Sequence, residues 1–408
     1  MAKSPPGPVP PAALRPTDIG ELRAAIADTA RTHPRLRIAG AGTAAGWAAP
    51  PEPADMAVDL TGMSGVLAYN PTDMTIAVRA GTRLDALQDK LSKNRQHVAF
   101  DAARLAEGAT IGGLLATADG GPRRHLYGTL RDLVIGATVV LADGTIARSG
   151  GHVIKNVAGY DLAKLFHGSF GTLGVVAEVV LRLHPAPRAT ATARVPGTAE
   201  QAAEAAGRIV TAGLEPTAIE WVTRDGGVGD LLVRLDGTPR GVPERATAIA
   251  RRTGLPAEIL APEAADELWR TVAGVATGIH GDTVLRIGTL PSSGPRLANR
   301  VTALAGEFGV GAALTSSIGV GVHTVRLRAG PPTAHQGLLT ALHREAGSAV
   351  TVLRRDGLGA APTVWGPPPP SIRVMRAVKQ QFDPHGRFGA GRLAPWLESQ
   401  ARTEEQSL

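Results

Sequence analysis

The amino-acid sequence predicts an α+β protein with two domains and antiparallel sheets. Its 408 residues exceed what one small core accommodates. The second half alternates short apolar strands with amphipathic helices and includes strand–strand hairpins, which is typical of a sheet covered by helices. In the first half, a glycine-rich loop follows a strand but leads into a proline-rich stretch. A parallel dinucleotide-binding sheet, which needs a helix there, is therefore not expected.

Proline marks the expected domain boundaries. The N-terminus, MAKSPPGPVPPAALRP, is typical of a disordered lead-in. His184-Pro185-Ala186-Pro187 separates the two halves of the chain. We therefore expect a lead-in at 1–15, a first domain at 16–187, a second domain at 188–370 and a C-terminal segment at 371–408.

Local patterns predict the elements of the first domain in turn. Asp18 begins a helix with apolar residues at helical spacing, and Leu84, Leu87 and Leu91 mark one face of another. An Ala-Asp-Gly turn at 142–144 joins the strands of a hairpin. The predicted strands are 36–38, 56–60, 66–69, 74–79, 133–141, 145–148 and 175–183, and the predicted helices are 19–30, 83–93, a short one from Thr110, and 161–166.

The same alternation continues to the C-terminus. The predicted strands are 217–222, 231–235, 283–287, 312–317, 324–327 and 349–353, and the predicted helices are 198–211, 243–253, 263–272, 295–308, 332–346 and 372–382.

Composition excludes several classes of protein. With 43% hydrophobic and 19% charged residues the chain is typical of a soluble globular protein, and no apolar run reaches the roughly 18 residues of a membrane-spanning helix. The net charge is +7, but the arginines are scattered and aromatic residues make up 3%, which argues against nucleic-acid binding. A basic pocket for an anionic substrate or a phosphate-bearing cofactor fits better. The lack of cysteine excludes disulfides and thiolate-held clusters.

The loop Gly40-Ala41-Gly42-Thr43-Ala44-Ala45-Gly46 has two interpretations. Its G-x-G-x-x-x-G spacing is one residue too long for the dinucleotide fingerprint. It is either a tight turn between strands or a concave nest whose backbone N–H groups bind an anion.

The segment Thr110–Gly113 opens a short helix. We expect the first N–H groups of this helix to be free for an anion or a polar ring edge, although its glycines also suit close packing. A glycine of Asp119–Pro122 is expected to cap its C-terminus. No histidine spacing or carboxylate cluster indicates a metal site, so no metal is expected. His152, His167 and His184 are expected to be structural.

Several segments of this sequence have the order and the spacing of segments in a known protein family. They are Gly40–Thr43, Gly108–Gly113, Gly121–Arg124, Tyr127-Gly128, Arg131-Asp132, Lys155–Asp161, Gly171–Val176, Val364–Pro370 and Phe382–Leu393. Together they resemble the FAD-linked oxidases, whose flavin domain is shared with vanillyl-alcohol oxidase and p-cresol methylhydroxylase (PCMH). The family of FAD-binding subunits of glycolate oxidase is the one that they resemble most. The resemblance covers about Asp18–Pro185 and resumes near the C-terminus.

The resemblance implies a PCMH-type FAD-binding domain at 16–187, a cap domain for substrate at 188–370 and a C-terminal segment that returns to the FAD-binding domain. FAD would be bound non-covalently, because the Gly40 loop has no histidine to attach it. The loop Gly40–Thr43 would bind the pyrophosphate of FAD through its backbone N–H groups. The segment Gly108–Gly113 would lie close to the flavin ring and its ribityl chain, and the segment Gly171–Val176 would lie beside the adenine. The implied cofactor-binding residues are Ala39, Gly40, Ala41, Gly42, Thr43, Gly108, Ala109, Thr110, Ile111, Gly112, Gly113, Ala116, Gly121, Tyr127, Gly128, Gly171, Thr172, Gly174, Val175 and Val176.

The resemblance also implies oxidation of a small 2-hydroxy acid such as glycolate or D-lactate. Electrons would pass to a second flavoprotein subunit and an iron–sulfur subunit. Through these partners a cytoplasmic chain could lie at a membrane. The alternative is a non-catalytic FAD-binding subunit that relays electrons or serves assembly.

The catalytic residues are not identified by the sequence. Arg123, Arg124 and Arg392 are candidates for holding a substrate carboxylate, since guanidinium binds it in a bidentate manner. His385 and Tyr160 are candidates for a base. Tyr160 is also expected, with Lys155, Asn156 and Asp161, to fix the chain before the Gly171 strand by hydrogen bonds.

The sequence departs from the family's pattern twice. Gly389-Ala390 replace the usual Asn-Pro before Gly391-Arg392. His280-Gly281-Asp282 is not followed by a second histidine, so a metal-assisted site of the kind carried by the companion glycolate oxidase subunit is not expected.

Overall fold

The first part of the chain forms three sheets. The computed structural model describes residues 13–153, 159–223, 228–346, 349–359 and 364–397. The strands of this part are β1 Ala13–Leu14, β2 Leu36–Ala39, β3 Met56–Asp59, β4 Val66–Asn70, β5 Thr75–Arg79, β6 Gln96–His97, β7 Val134–Val140, β8 Ile146–Gly150, β9 Val175–Arg182 and β10 His184–Pro185. Its helices are α1 Ile19–Asp28, α2 Leu84–Ser92, α3 Ile111–Thr117, α4 Arg124–Tyr127 and α5 Leu130–Leu133.

These strands pair in a small parallel sheet of order β1-β3-β2, an antiparallel sheet of order β4-β5-β9-β7-β8 and a ribbon of β10 with β6. Alternation along β9 places apolar residues on both faces of the five-stranded sheet. Val176 and Val179 pack in the core formed with α2, α3 and α5, whereas Val175 and Ala177 pack towards α1 and β3. The five-stranded sheet is therefore buried on both faces at its centre.

The second part of the chain builds one eight-stranded antiparallel sheet, here called the cap sheet. Its order is β14-β11-β13-β12-β16-β17-β15-β18. The strands are β11 Ala189–Gly197, β12 Ala218–Thr223, β13 Gly229–Gly237, β14 Glu258–Ile259, β15 Thr283–Gly288, β16 Ala312–Ser317, β17 Val322–Leu327 and β18 Val350–Arg354. The helices are α6 Ala199–Thr211, α7 Gly241–Thr253, α8 Pro262–Thr277, α9 Gly294–Phe308 and α10 Pro332–Ala346, and α11 Ile372–Phe382 follows in the C-terminal segment.

The two faces of the cap sheet differ in chemistry. On one face, residues such as Ile219 and Trp221 of β12 join a large apolar core with α6, α7, α9 and α10. The opposite face lies against α8 and the first part of the chain, and it carries Glu220 between those two apolar residues. A charged residue at the centre of a buried strand needs a partner or a function.

The C-terminal segment packs onto the first part of the chain. The buried Arg387 donates hydrogen bonds to the carbonyl oxygens of Ile26 (3.0 Å) and Pro34 (3.2 Å) and to the hydroxyl of Thr29 (3.2 Å). Its own backbone N–H donates to Asp383 (2.8 Å). One guanidinium thus joins α1 and the residues that follow it to the end of the chain.

The α+β prediction with antiparallel sheets is confirmed, and most predicted elements lie within a few residues of their observed bounds. The expected boundary at 187/188 falls between β10 and β11 and stays a prediction, as do the other boundaries. Residues 1–15 were predicted to be disordered, and this was wrong for the end of that range, because Ala13–Leu14 form a strand that pairs with Ala57 and Val58 of β3. Residues 1–12 lie outside the described chain.

The expected cap of helix α3 was wrong, because Ala118 in the left-handed conformation (φ 50°) caps it and not a glycine of 119–122. The helix predicted at 161–166 is confirmed and is a 3-10 helix over Leu162–Phe166. The strand β11 was missed, although its ATATARV alternates small apolar and polar residues. Alanine and threonine alone give a weak strand signal.

In the part of the chain that the structure describes, no helix is both long enough and apolar enough to span a lipid bilayer.

Replacing Arg387 with methionine should lower the free energy of unfolding by about 3 kcal/mol, because buried acceptors lose a charged donor. Urea titration followed by circular dichroism measures this change. The control is Arg373→Met on the exposed side of α11, for which we expect a change within about 0.5 kcal/mol. If the free energy of unfolding fell equally in the two variants, the hydrogen bonds of Arg387 would not be what holds the C-terminal segment to α1 and the residues that follow it.

Candidate active site

The loop Gly40–Gly46, here called the glycine loop, leaves the end of β2 and contacts the start of α3. A Cβ on Gly40 would overlap the Oγ1 of Thr110, so the two segments meet at a distance that only glycine permits. Gly42 has φ +75° and no atom within 4 Å of its Cβ position. The predicted absence of a helix after this loop is confirmed, since turns follow it up to β3.

The backbone of the glycine loop presents unused donors. Among the described residues, none accepts a hydrogen bond from the N–H groups of Ala41, Gly42, Thr43 or Ala44. Further along the turn, the N–H of Ala45 donates to the carbonyl of Gly42 (3.0 Å) and that of Trp47 donates to the carbonyl of Ala44 (3.1 Å). Successive free N–H groups on a glycine-containing turn form a concave surface that suits an anion.

The start of α3 does not present free donors, which corrects the sequence-based expectation. Ile111 donates its N–H to Thr82 (2.9 Å), and Gly112 donates to Ala80 (2.8 Å). The N–H of Gly113 bonds the Thr110 side chain (3.3 Å). A Cβ on Gly112 would lie 2.8 Å from that of Ala80. These glycines therefore allow α3 to pack closely on the residue that follows β5.

A shallow cleft lies between β2 and the C-terminal segment. The start of the Gly171 segment lines it, together with residues 51–54 and the turn Gly389-Ala390. A second cleft shares the turn Gly389-Ala390 and includes Thr172 and Lys379. The turn that departs from the family pattern thus lines the same cleft as Gly171.

The remaining predicted cofactor residues lie in two settings. Val175 and Val176 are buried in the five-stranded sheet, in register with Val140 and Val139 of β7. Gly174 packs near Phe166, to which a Cβ would come within 3.2 Å.

The other setting is the segment between β6 and β7. A Cβ on Gly121 would come 2.6 Å from the carboxylate of Asp101, and one on Gly128 would meet Asp132. Tyr127 packs edge-on against His184 (ring centroids 4.9 Å apart) and His97 (6.2 Å). Ala109 is buried, Gly108 has φ +83°, and the carbonyl of Ala116 accepts a bond from Phe170 (2.7 Å).

Three enclosed arginines, here called the arginine cluster, lie where the first part of the chain meets the cap sheet. Arg104 donates to the carbonyl of Ala276 in α8 (3.0 Å), and Arg286 of β15 donates to that of Ala118 (2.7 Å). Arg124 donates to the carbonyl oxygens of Gly121 (3.0 Å) and Gly120. Burial lowers the pKa of all three, and the charge of Arg124 contributes to lowering the pKa of Arg286, which falls to about 10.

The arginine cluster retains donors that the described protein does not use. No described residue accepts a hydrogen bond from the Nη1 of Arg124 or from the Nε and Nη2 of Arg286. Both side chains keep partial solvent access. Asp119 is the nearest carboxylate to Arg104, at 3.9 Å. Guanidinium groups with unused donors are suited to bind an anion such as a carboxylate.

Glu220 of β12 lies beside this cluster. Its carboxyl oxygen Oε2 accepts a 2.5 Å hydrogen bond from the hydroxyl of Ser317, and the side chain of Thr315 also bonds it. Burial raises the pKa of Glu220 to about 7, although the charge of Arg124 opposes the shift. At neutral pH this carboxyl group is therefore present in both protonation states.

His167 faces the same charges from the segment before Gly171. Its Nε2 is buried and has no hydrogen-bond partner among the described residues. Burial and the charge of Arg286 lower the pKa of His167 to about 4, so the imidazole is neutral at pH 7. His152 and His184 have structural contacts, with Thr75 (2.9 Å) and Tyr127 respectively.

The structure separates the three arginines predicted from the sequence. Only Arg124 lies in the arginine cluster. Arg123 pairs with Asp236 of β13 (3.3 Å), and Arg392 donates to the carbonyls of Ala45 (3.1 Å) and Trp47 (2.6 Å). Arg123 thus links the two parts of the chain, and Arg392 fixes the turn that ends the glycine loop.

The two predicted bases face solvent. Tyr160 is 88% exposed and His385 is exposed, so the structure does not support either as a base. Among the described residues, the carbonyl oxygen of Tyr160 accepts a hydrogen bond from the hydroxyl of Ser149 (3.3 Å). Asp161 bonds Lys164 (2.7 Å). Lys155 and Asn156 lie outside the described residues.

Comparison with known proteins defines the class. A family model described as an FAD binding domain matches residues 10–150. A solved structure of alkyldihydroxyacetonephosphate synthase superposes with a TM-score of 0.68 over 92% of this chain and 76% of that one, at 16% identity, so the two share a fold. This is the PCMH-type fold, and the chain is an FAD-binding oxidoreductase.

Sequence similarity gives the family more narrowly. The chain is 31% identical over 333 residues to "Glycolate oxidase subunit GlcE" of Escherichia coli (strain K12), across 81% of this chain and 84% of that protein. It therefore belongs to the family of that subunit. A shorter match, 36% identical over 159 residues, is to the mitochondrial "D-lactate dehydrogenase [cytochrome] 1" of Saccharomyces cerevisiae and spans 39% of this chain and 27% of that protein.

The pH dependence of stability should report the state of Glu220. An unfolded glutamate titrates near about 4.3, so the stabilisation from the neutral folded form is lost as pH rises through about 7. We expect Glu220→Gln to raise the melting temperature relative to the unsubstituted protein more at pH 8 than at pH 5. Scanning calorimetry measures this, with Glu258→Gln, whose side chain is 64% exposed, as control. A pH-independent difference for Glu220→Gln would contradict the raised pKa.

Proposed function

We propose that this chain oxidises a small 2-hydroxy acid such as glycolate or D-lactate to the 2-oxo acid, using FAD as the electron acceptor. The observation that carries the proposal is that Arg124 and Arg286 lie where the first part of the chain contacts the cap sheet, and that each has guanidinium donors with no acceptor among the described residues. A site of this kind suits a carboxylate. The names of the relatives support the same class of substrate.

FAD fits the residues that the chain offers. The unused N–H groups at Ala41–Ala44 would hold the pyrophosphate without a helix, and the contact of Gly40 with Thr110 would keep that loop in place. The cleft beside Gly171 and Gly389 would accommodate the nucleotide end. The isoalloxazine supplies two-electron chemistry when it is bound, and the protein positions the substrate against it.

The chain's own groups would bind the substrate and exclude water. Arg124 and Arg286 would hold the carboxylate, and the low-polarity surroundings formed by Trp47 and the cap sheet strengthen that interaction. Holding the carboxylate fixes the orientation of the neighbouring hydroxyl-bearing carbon.

A partner would carry the electrons onward. The relative GlcE is named as a subunit, which supports a multi-subunit assembly. We propose a second flavoprotein subunit and an iron–sulfur subunit as partners. The 408 residues contain no cysteine, so another chain would hold such a cluster.

The substitution Gly40→Ala tests whether the glycine loop binds the pyrophosphate of FAD. The added Cβ would force the glycine loop away from Thr110 and displace its N–H groups, so we expect FAD to bind about tenfold more weakly, or about 1.4 kcal/mol. Titration by flavin fluorescence measures the dissociation constant. Gly46→Ala is the matched control in the same loop, because its Cβ would meet no atom within 4 Å. Equal affinity in both variants would remove the pyrophosphate assignment.

Anaerobic mixing of the FAD-loaded chain with glycolate or D-lactate tests the reaction. Bleaching of the flavin by substrate alone supports catalysis by this chain, whereas bleaching only after a partner is added supports a relay or assembly subunit.

We expect Arg286→Met to weaken binding of oxalate, an unreactive anion, by about 10- to 100-fold. Arg286→Lys should recover part of the affinity, and Arg270→Met on the exposed side of α8 should not change it.

A further inference from the structure

Two arginines hold the turn that ends the glycine loop. Arg392 belongs to the C-terminal segment, and Arg355 directly follows β18 of the cap sheet. The carbonyl groups of four successive residues accept hydrogen bonds from them, and these are Ala45 (3.1 Å) and Trp47 (2.6 Å) for Arg392, and Gly46 (3.5 Å) and Ala48 (3.3 Å) for Arg355. Two separate parts of the chain thus each bring a positive charge to this turn.

Arg392 keeps unused donors and lines the cleft between β2 and the C-terminal segment. It shares that lining with Gly171 and Gly389. Among the described residues, none accepts a hydrogen bond from its Nε or Nη2. Arg35 lines the same cleft, but Asp55 lies 3.3 Å from its guanidinium and compensates its charge. Of these two arginines, Arg392 is therefore the better placed to bind an anion in this cleft.

The charge of Arg392 lies close to the open N–H groups of the glycine loop. Its Nη1 is 3.1 Å from the carbonyl oxygen of Ala45, and the N–H of Ala44 is one residue away, at most about 7 Å further along the chain. The distance from the charge to the nearest open N–H is therefore no more than about 10 Å, which is the screening length at about 0.1 M salt. Burial and the charge of Arg355 lower the pKa of Arg392 to about 10, so the guanidinium remains charged at neutral pH. An anion on the glycine loop would interact with this charge.

Holding the turn does not by itself account for two charged side chains. Hydrogen bonds to carbonyl oxygens need donors but no net charge, and among the described residues neither Arg355 nor Arg392 has a carboxylate within ion-pair distance. Asp356 pairs with Arg354 instead (2.6 Å), and Glu52 lines the cleft without pairing with Arg392. Enclosing a guanidinium group without a counter-ion is unfavourable. An anion bound at the glycine loop would supply that counter-ion, and the two arginines would offset the partial negative charge of the carbonyl oxygens that otherwise repels it.

We propose that Arg392 binds the diphosphate of FAD where the glycine loop meets this cleft, and that Arg355 adds a second positive charge from the cap sheet. This inference rests on the proposed function, which assigns the same diphosphate to the N–H groups of Ala41–Ala44. Guanidinium donors and backbone N–H groups then share the phosphate oxygens. Arg392 is thus a cofactor-binding residue and not a ligand of the substrate carboxylate, the role for which the sequence made it a candidate.

Titration of the full-length chain, freed of FAD, with ADP tests this contact without the flavin. ADP carries the diphosphate and the adenosine of FAD, and titration calorimetry measures its dissociation constant. We expect Arg392→Met to weaken binding of ADP and of FAD by about 10- to 100-fold, and Arg355→Met by about 3- to 10-fold. The matched control is Arg376→Met, because Arg376 is an exposed arginine of the same segment that bonds the carbonyl of Trp396 (3.0 Å) and lines neither of the two clefts. Its affinity for ADP should stay within about twofold.

Salt distinguishes binding by charge from support of the turn. Raising KCl from about 50 to about 500 mM should weaken ADP binding to the unsubstituted protein by about tenfold, but to Arg392→Met by less than about threefold. Arg392→Lys keeps the charge, so it should keep the salt dependence and recover part of the affinity. If Arg392→Met binds ADP more weakly but with an unchanged salt dependence, the arginine only fixes the turn and the inference is refuted. Arg355→Met gives the same comparison if Arg392→Met does not fold, since a reduced salt dependence supports the inference and an unchanged one refutes it.

Oxalate binding at saturating FAD separates this inference from the function on which it rests. Arg392→Met should bind oxalate as the unsubstituted protein does, because the residue serves the cofactor. If Arg392→Met binds ADP and FAD normally, the inference fails and the proposed function stands. If it loses oxalate binding instead, Arg392 belongs to the substrate site and the inference is again wrong. If the unsubstituted protein binds neither FAD nor ADP, both the inference and the proposed function fail.

Discussion

The turn Ala44–Ala48 holds the three parts of the chain together, and the buried Trp47 lies at its centre. Arg392 of the C-terminal segment donates to the carbonyl of Trp47 at 2.6 Å. The N–H of Ala48 bonds Val352 of the cap sheet at 2.8 Å, and the guanidinium of Arg104 lies 4.5 Å from the centre of the indole. Because the glycine loop runs directly into this turn, its position depends on the packing of the cap and the C-terminus. A displacement of the cap sheet or of the C-terminal segment would therefore also displace the glycine loop.

The arginine cluster leaves positive charge uncompensated where the first part of the chain contacts the cap sheet. Taking a guanidinium out of water is unfavourable unless its charge and its donors are compensated. The three arginines bond backbone carbonyl oxygens, and the face of the Trp47 indole lies 4.5 Å from the guanidinium of Arg104 and 5.8 Å from that of Arg286. Among the described residues, Asp119 is the one carboxylate within ion-pair distance of these three arginines. Carbonyl oxygens and an aromatic face compensate part of the cost and leave an excess of positive charge. An anionic ligand would remove that excess, so the domain interface is expected to be more stable with substrate bound.

The sequence predicts the parts of the molecule that local chemistry determines. The glycine loop, the hairpin at Val134–Gly150 and the helix α11 follow from residue types and spacing within a few neighbours. The surroundings of Glu220 and Arg286 do not, because they depend on which face of the cap sheet each residue occupies and on contacts with residues far away in the sequence, 97 positions for Glu220 with Ser317 and 168 for Arg286 with Ala118. The useful signal was a charged residue between two large apolar ones in a predicted strand, as in Ile219-Glu220-Trp221. That pattern indicates a buried polar position but not its partner.

The two glycine-rich segments differ in how their backbone N–H groups are used. At the start of α3, the backbone N–H groups of Ile111 and Gly112 are consumed in fixing the helix to the residues after β5. The segment thus serves as a rigid support against which Gly40 packs. The glycine loop keeps its own N–H groups unused, which is tolerable because Ala41 and Gly42 are exposed to water. A ligand phosphate would replace that water with charged acceptors. The N–H groups of Ala41 to Ala44 remain available to a ligand, whereas those of Ile111 and Gly112 are already committed to the fold.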